Sequence, residues 1–253
     1  MLIYSLKILL ILSLFFFNTK TFSQNNTQIG ESSNLEIIAG LSKPPFIIED
    51  NNSGIELDIF QAAFEKFNKE VTFIHVPFGR TITSFHRLNV AGIITVLPDY
   101  QHPKAFVSAP YITYQNVAVS LRDNNFTIDD ITSLSGKSMV AFQNARKYLG
   151  EEFLKSINAS MGYREVADQM KQIDMLFLRR TEVIILDINI FKYFIRTHSK
   201  GRYSQPFSVH YIFNERPYAA AFKTEENKVL CDEGIKLIKQ EGTYQLIMDK
   251  YLK

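Results

Sequence analysis

Apolar positions in this chain fall into short runs that alternate or are unbroken, and between them lie longer stretches with a period of three to four. "LEIIAGL" (35 to 41) predicts a strand, and "SGIELDIFQAAFEKFN" predicts a helix with Leu57, Phe60, Ala63, Phe64 and Phe67 on one face. Ser53 and Glu56 stand at capping-box spacing at its start. "VTFIHVPF", a short helix over "TITSFHRL" and "VAGIITVL" follow, which makes a β-α-β-α-β unit and predicts a parallel sheet.

A second unit begins after "NVAVSL" (116 to 121). "KSMVAF" predicts a strand and "ARKYLGEEFLKSI" one helix; "ADQMKQIDMLFLRR" predicts another, with Val166, Met170, Ile173 and Phe177 in register. "VIILD" and "INIFKYFIRTH" form a strand running directly into a helix. The chain closes with strand-like "YAAAFK" and two helices, "ENKVLCDEGIKLIKQ" and "TYQLIMDKYL", parted at Gly242. Two α/β units predict two lobes. In an open α/β sheet ligands bind beyond the carboxyl ends of the strands, and Asp187 stands at such an end. A carboxylate there needs a partner or a cavity, because burying it alone is costly.

Composition and charge narrow the class. The first residues carry Lys7, an apolar stretch from Ile8 to Phe17 and small polar residues to Ser23, the pattern of a secretory signal peptide over 1–23. A membrane span needs about 20 apolar residues, more than that stretch supplies. Removal of the signal takes Lys7 and Lys20 from the 28 basic residues and none of the 26 acidic ones, so the mature chain is near neutral and nucleic acid is not an expected partner. Cys231 is the single cysteine, which excludes an intrachain disulfide and a cysteine-based zinc cluster. The five histidines lack metal-ligand spacing, and no nucleophile elbow or phosphate-cradling glycine motif is present. A soluble, exported, periplasmic monomer without metal or cofactor is the expectation.

Five stretches in order, "KPPFIIEDNNSGIELDIFQAAFEKFN", "FVSAPY", "SLSGKSMVAFQNARKYLG", "TEVIILD" and "ERPYAAAFKTEENKVLCDEGIKLIKQEGTYQLIMDKYL", together resemble the family 3 extracellular solute-binding proteins, the polar amino-acid binders of ABC import. The resemblance implies a type II periplasmic-binding-protein fold, two α/β lobes joined by a hinge, with lobe I at 34–115 plus 217–253 and lobe II at 116–216. It implies that Asp187 holds a ligand ammonium and that the rings of Phe46 and Tyr111 pack on the ligand. An arginine before the "FVSAPY" motif grips the ligand carboxylate in the family. Here the segment between Arg87 and Arg122 has no arginine, only Lys104, and lysine cannot form a guanidinium fork. The small polar pair after a lobe II strand is altered to Asn144-Ala145-Arg146.

Each candidate carries two readings. Asp187 is a ligand contact or the N-cap of "INIFKYFI". Arg146, in the first turn after "MVAFQN", is an anion contact or a solvated side chain. Arg80, after "VPFG", is a replacement anion clamp or half of a surface ion pair, and Lys104 is a ligand contact or a solvated loop lysine. Phe46 faces the cleft or the core, and Tyr111 and Tyr114 face the cleft or pack in the hinge. The functional expectation is a binder that captures a small polar ligand, an amino acid or a related amine or organic ion, by hinge closure for an ABC permease or a membrane sensor, with no chemistry of its own. Alternatives are an enzyme on the same scaffold, similar to the cyclohexadienyl dehydratases, with Asp187 or Glu182 as acid or base, and a soluble ligand-sensing module.

Overall fold

The computed structural model describes residues 34–198 and 203–253; the signal-peptide reading of 1–23 lies outside them. The first stretch forms β1 (Leu35–Gly40), α1 (Ile55–Glu65), β2 (Val71–Val76), α2 (Thr81–Arg87), β3 (Gly92–Val96), β4 (Phe106–Val107) and β5 (Ile112–Tyr114). Next come β6 (Asn116–Leu121), β7 (Ser138–Phe142), α3 (Ala145–Tyr148), α4 (Gly150–Asn158), β8 (Gly162–Val166), α5 (Gln169–Phe177), β9 (Val183–Asp187), α6 (Ile188–His198) and β10 (Phe207–His210). The chain finishes with β11 (Arg216–Phe222), α7 (Glu225–Gln240) and α8 (Thr243–Leu252). None of the described helices is long and apolar enough to cross a membrane.

Two sheets result. One has the order β2-β1-β3-β11-β4, with β5 also paired to β11; the other has the order β10-β6-β9-β7-β8. The predicted parallel pairing of β1 with β2 and β3 is present, and β11 joins β3 antiparallel. In the second sheet β9 lies between β7, parallel to it, and β6, antiparallel to it. All five residues of β9 are buried, which accounts for the unbroken apolar run that ends in Asp187. The chain passes between the sheets at Gln115 and again between β10 and β11. Gln115 ties the two passages together: its Nε2 donates to the Phe213 carbonyl at 2.8 Å.

Three local expectations are corrected. Val166 ends strand β8 rather than starting a helix, and α5 begins at Gln169, behind the N-cap Asp168. The single helix expected over "ARKYLGEEFLKSI" is split into α3 and α4 at Gly150, whose φ of +85° suits glycine. No capping box forms at α1: its N-cap is Gly54 without a side-chain cap, Ser53 Oγ donates to Asn51, and Glu56 is fully buried among other partners.

Helix α7 crosses α1 so closely that a Cβ on Gly234 would sit 2.3 Å from the Ala63 carbonyl oxygen. Replacing Gly234 by Val is therefore expected to destabilise the fold by about 1 to 3 kcal/mol, the usual range for overpacking. Urea unfolding checks this; an unchanged midpoint would show that the helices can separate freely.

Candidate functional site

A cavity of about 650 Å³ opens at the carboxyl ends of strands from both sheets. The first sheet contributes Lys43 from the segment after β1, Phe78 from beyond β2, Thr95 from β3, Tyr114 from β5 and Tyr218 from β11. The second contributes Asn116, Phe142 and Asp187, with Gln169 from α5 and Tyr193 and Phe194 from α6 beside it. Aromatic rings thus line the cavity from both sides, and carboxylates punctuate it.

Asp187 is 2% exposed; it lines the cavity and caps α6. Its Oδ1 accepts the backbone N–H of Asn189 at 2.7 Å and of Ile190 at 3.2 Å. Oδ2 accepts the backbone N–H of Gln115 at 2.8 Å, which ties the carboxylate to the first passage between the sheets. Burial pushes its carboxyl up to about 6, against the pull of these three N–H groups and of the Lys43 ammonium. The charged form is therefore short of compensation, and a cation in the cavity would supply it.

Beneath the cavity lies a polar cluster that sequence reasoning missed. Glu56, 0% exposed in the first turn of α1, accepts hydrogen bonds from the hydroxyls of Tyr111, Tyr114 and Thr95, the last at 2.6 Å. Lys43 Nζ, 15% exposed, lies 3.0 Å from Glu56 and 4.8 Å from the centre of the Tyr114 ring. Burial alone would raise the Glu56 carboxyl, but the Lys43 ammonium and the three hydroxyls outweigh it and hold it below its ordinary value. Thr95 has a φ of +60°, strained for a β-branched residue. The cluster holds it there, since Tyr111 Oη accepts its N–H at 3.2 Å while its hydroxyl donates to Glu56. The signal that could have exposed this cluster was Glu56 itself, an acid one residue from the apolar face of an amphipathic helix.

The other candidates stand away from the cavity wall. Phe46 is fully buried behind it, stacked on Tyr114 with ring centres 4.0 Å apart. Tyr111 is likewise buried behind it, on Glu56, with its ring edge-on to Phe60. Phe46 backs Tyr114, which does line the wall, and Tyr111 shares the Glu56 carboxylate with it. Arg80 is exposed at the end of the 3-10 turn Phe78–Arg80. Arg146 is exposed, with Nε 3.2 Å from Glu165. Lys104 is exposed in the loop before β4, its backbone N–H directed at His102. Glu182 stands at the opposite end of β9 from Asp187, accepting from the N–H and hydroxyl of Ser138. The structure gathers Asp187, Tyr114 and Lys43 and leaves the arginines outside.

Comparison with known proteins agrees with this architecture. The family model for bacterial extracellular solute-binding proteins, family 3, matches residues 35–253, and the chain belongs to that family. No curated protein sequence matches the chain. Among solved structures, the GluR0 ligand-binding core in complex with L-glutamate has a TM-score of 0.73 at 15% identity, covering 88% of this chain and 100% of its own. A histidine kinase sensor domain with similarity to periplasmic binding proteins has a TM-score of 0.70 at 13% identity, covering 87% of this chain and 96% of its own. An ancestral arginine-binding protein bound to arginine has a TM-score of 0.69 at 17% identity, covering 87% of this chain and 99% of its own. At these identities the likeness carries the fold, which is that of the type II periplasmic binding proteins.

Proposed function

We propose that this family member is an exported binder that captures a small cationic polar solute between two lobes, 34–115 plus 217–253 and 116–216, and closes over it by a hinge at Gln115 and the passage before β11. The closed form is then read by an ABC permease or by a membrane sensor. One observation carries this reading: the buried, under-compensated Asp187 faces the cavity and is hydrogen-bonded to the crossover residue Gln115. A cation seated on Asp187 would meet groups from both sheets, and a ligand that touches both favours the closed state by its differential affinity. The same arrangement serves import and sensing equally.

Thermal shift against amino acids, diamines, small peptides and organic acids tests the binding role. A solute at 100 times its dissociation constant adds about 2.7 kcal/mol to the native state. For a domain of this size that raises Tm by about 5 to 11 °C. Small-angle scattering at saturation should show a smaller radius of gyration. No shift with any solute would remove the binder reading, and product formation from any of them, followed by mass spectrometry, would replace it with the enzyme reading.

A further inference from the structure

Accepting the cleft as a binding site, we infer that its solute is an organic dication without a carboxylate, a diamine or an amino-guanidine in chemical class, rather than an amino acid. No uncommitted basic side chain among the described residues lines the cavity. Among the described residues Lys43 is the single basic side chain lining it, and that ammonium is already committed to Glu56 at 3.0 Å and to the Thr95 hydroxyl at 3.4 Å. Helix N-termini are the other ready anion sites. Those of α5, α6 and α1 are closed by the chain's own groups. Asp168 accepts the N–H groups of Met170 and Lys171 at α5, and Asp187 those of Asn189 and Ile190 at α6. At α1 the N–H groups of Ile55 and Glu56 go to the carbonyls of Pro45 and Phe46.

Acceptors, by contrast, are in excess. The buried Asp187 lines the cavity together with the exposed Glu49, Asp50 and Asp168, the last 3.6 Å from Lys171, and the one lysine in the lining is cancelled by Glu56. Gln169 Oε1 is buried and accepts no hydrogen bond from any described residue. A donor-rich ligand suits this lining, and a carboxylate brought beside the buried Asp187 would meet like charge. The aromatic lining from Tyr193, Tyr218 and Phe142 offers apolar surface that suits a methylene spacer.

The test is isothermal titration of the full chain with pairs that differ only by the carboxylate: L-lysine and cadaverine, L-ornithine and putrescine, L-arginine and agmatine. Pentylamine and butylamine, each lacking one ammonium of the corresponding diamine, complete the set. The expected result is that the decarboxylated member of at least one pair binds tenfold or more tightly than its amino acid, and that a diamine binds at least tenfold more tightly than its monoamine. An amino acid that equals or outbinds its partner in every pair would overturn the inference while leaving the binding role intact. Equal affinity of monoamine and diamine would overturn the dication. Silence from all eight compounds would also overturn it, and the binding role would then stand or fall on the wider thermal-shift panel.

Discussion

Replacing Asp187 by Asn is expected to weaken binding of a cationic solute by about 2 to 5 kcal/mol, the cost of stranding one partner of a buried charge pair. Stability of the empty protein should change little, because two effects oppose each other. Asn keeps one oxygen for the α6 N–H groups, but its amide cannot also accept from Gln115, which costs about 1 kcal/mol. Against this, the substitution removes a buried charge that the fold compensates poorly. The pH profile separates this role from simple capping. In the empty protein the Asp187 carboxyl is raised by burial to about 6, above its unfolded value of about 3.9. Its contribution to stability is therefore fully present below about pH 4 and lost as pH rises through about 6. A bound cation favours the charged form, so affinity should rise with pH through that window, by at most about tenfold per pH unit for one proton. The Asn variant should lose this rise. Calorimetry at pH 5 and pH 8 on both proteins decides it, and unaltered affinity in the variant would reduce Asp187 to a helix cap.

The second large effect belongs to Glu56. Replacing it by Gln should destabilise the protein by about 3 to 5 kcal/mol, the cost of breaking a buried ion pair from one side. At about 2 to 4 °C per kcal/mol for a domain of this size, the melting temperature should fall by roughly 6 to 20 °C. Removing the other partner, as Lys43→Met, should cost less. Glu56 would keep three hydroxyl donors, whereas Gln at position 56 leaves the Lys43 ammonium and at least one buried tyrosine hydroxyl poorly matched. Thermal melts of the two single variants check the order. The reverse order would mean that Lys43, and not the carboxylate, is the centre of the cluster. Because the Glu56 carboxyl is held below its ordinary value, its contribution is present above the unfolded pKa of about 4.3 and lost as pH falls through the folded one. Wild-type protein should therefore lose more stability on acidification than Glu56→Gln does.

Much of the architecture was legible along the chain. The strands β1, β2, β3, β7 and β9 and the helices α1, α7 and α8 follow from apolar period and from Gly242, whose φ is +82° where the last two helices part. Strand β8 was missed because it lies at the sheet edge with alternating half-exposed and exposed residues, so "GYREV" lacks an apolar run and Val166 fell into register with the next helix. The break at Gly150 was missed because one glycine between two helical patterns does not announce a positive φ.

For the site, the sequence by itself determined one position and one absence. Asp187 stands at the carboxyl end of a wholly apolar strand, where an acid needs a partner or a cavity, and the sequence left open whether that partner is a ligand or the N-terminus of the next helix. The lack of an arginine between Arg87 and Arg122 was equally plain. Tertiary structure alone decided which side chains meet. Lys43 after β1, Glu56 in α1, Thr95 in β3, Tyr111 before β5 and Tyr114 in β5 are far apart in sequence and converge on the Glu56 carboxylate. It also decided that the Phe46 and Tyr111 rings stand behind the wall while Tyr114 forms it. The physical reason is that periodicity assigns a side chain to a face of its own helix or strand, whereas a cleft is made at the ends of elements, where sheet register and the crossings of the chain choose the neighbours.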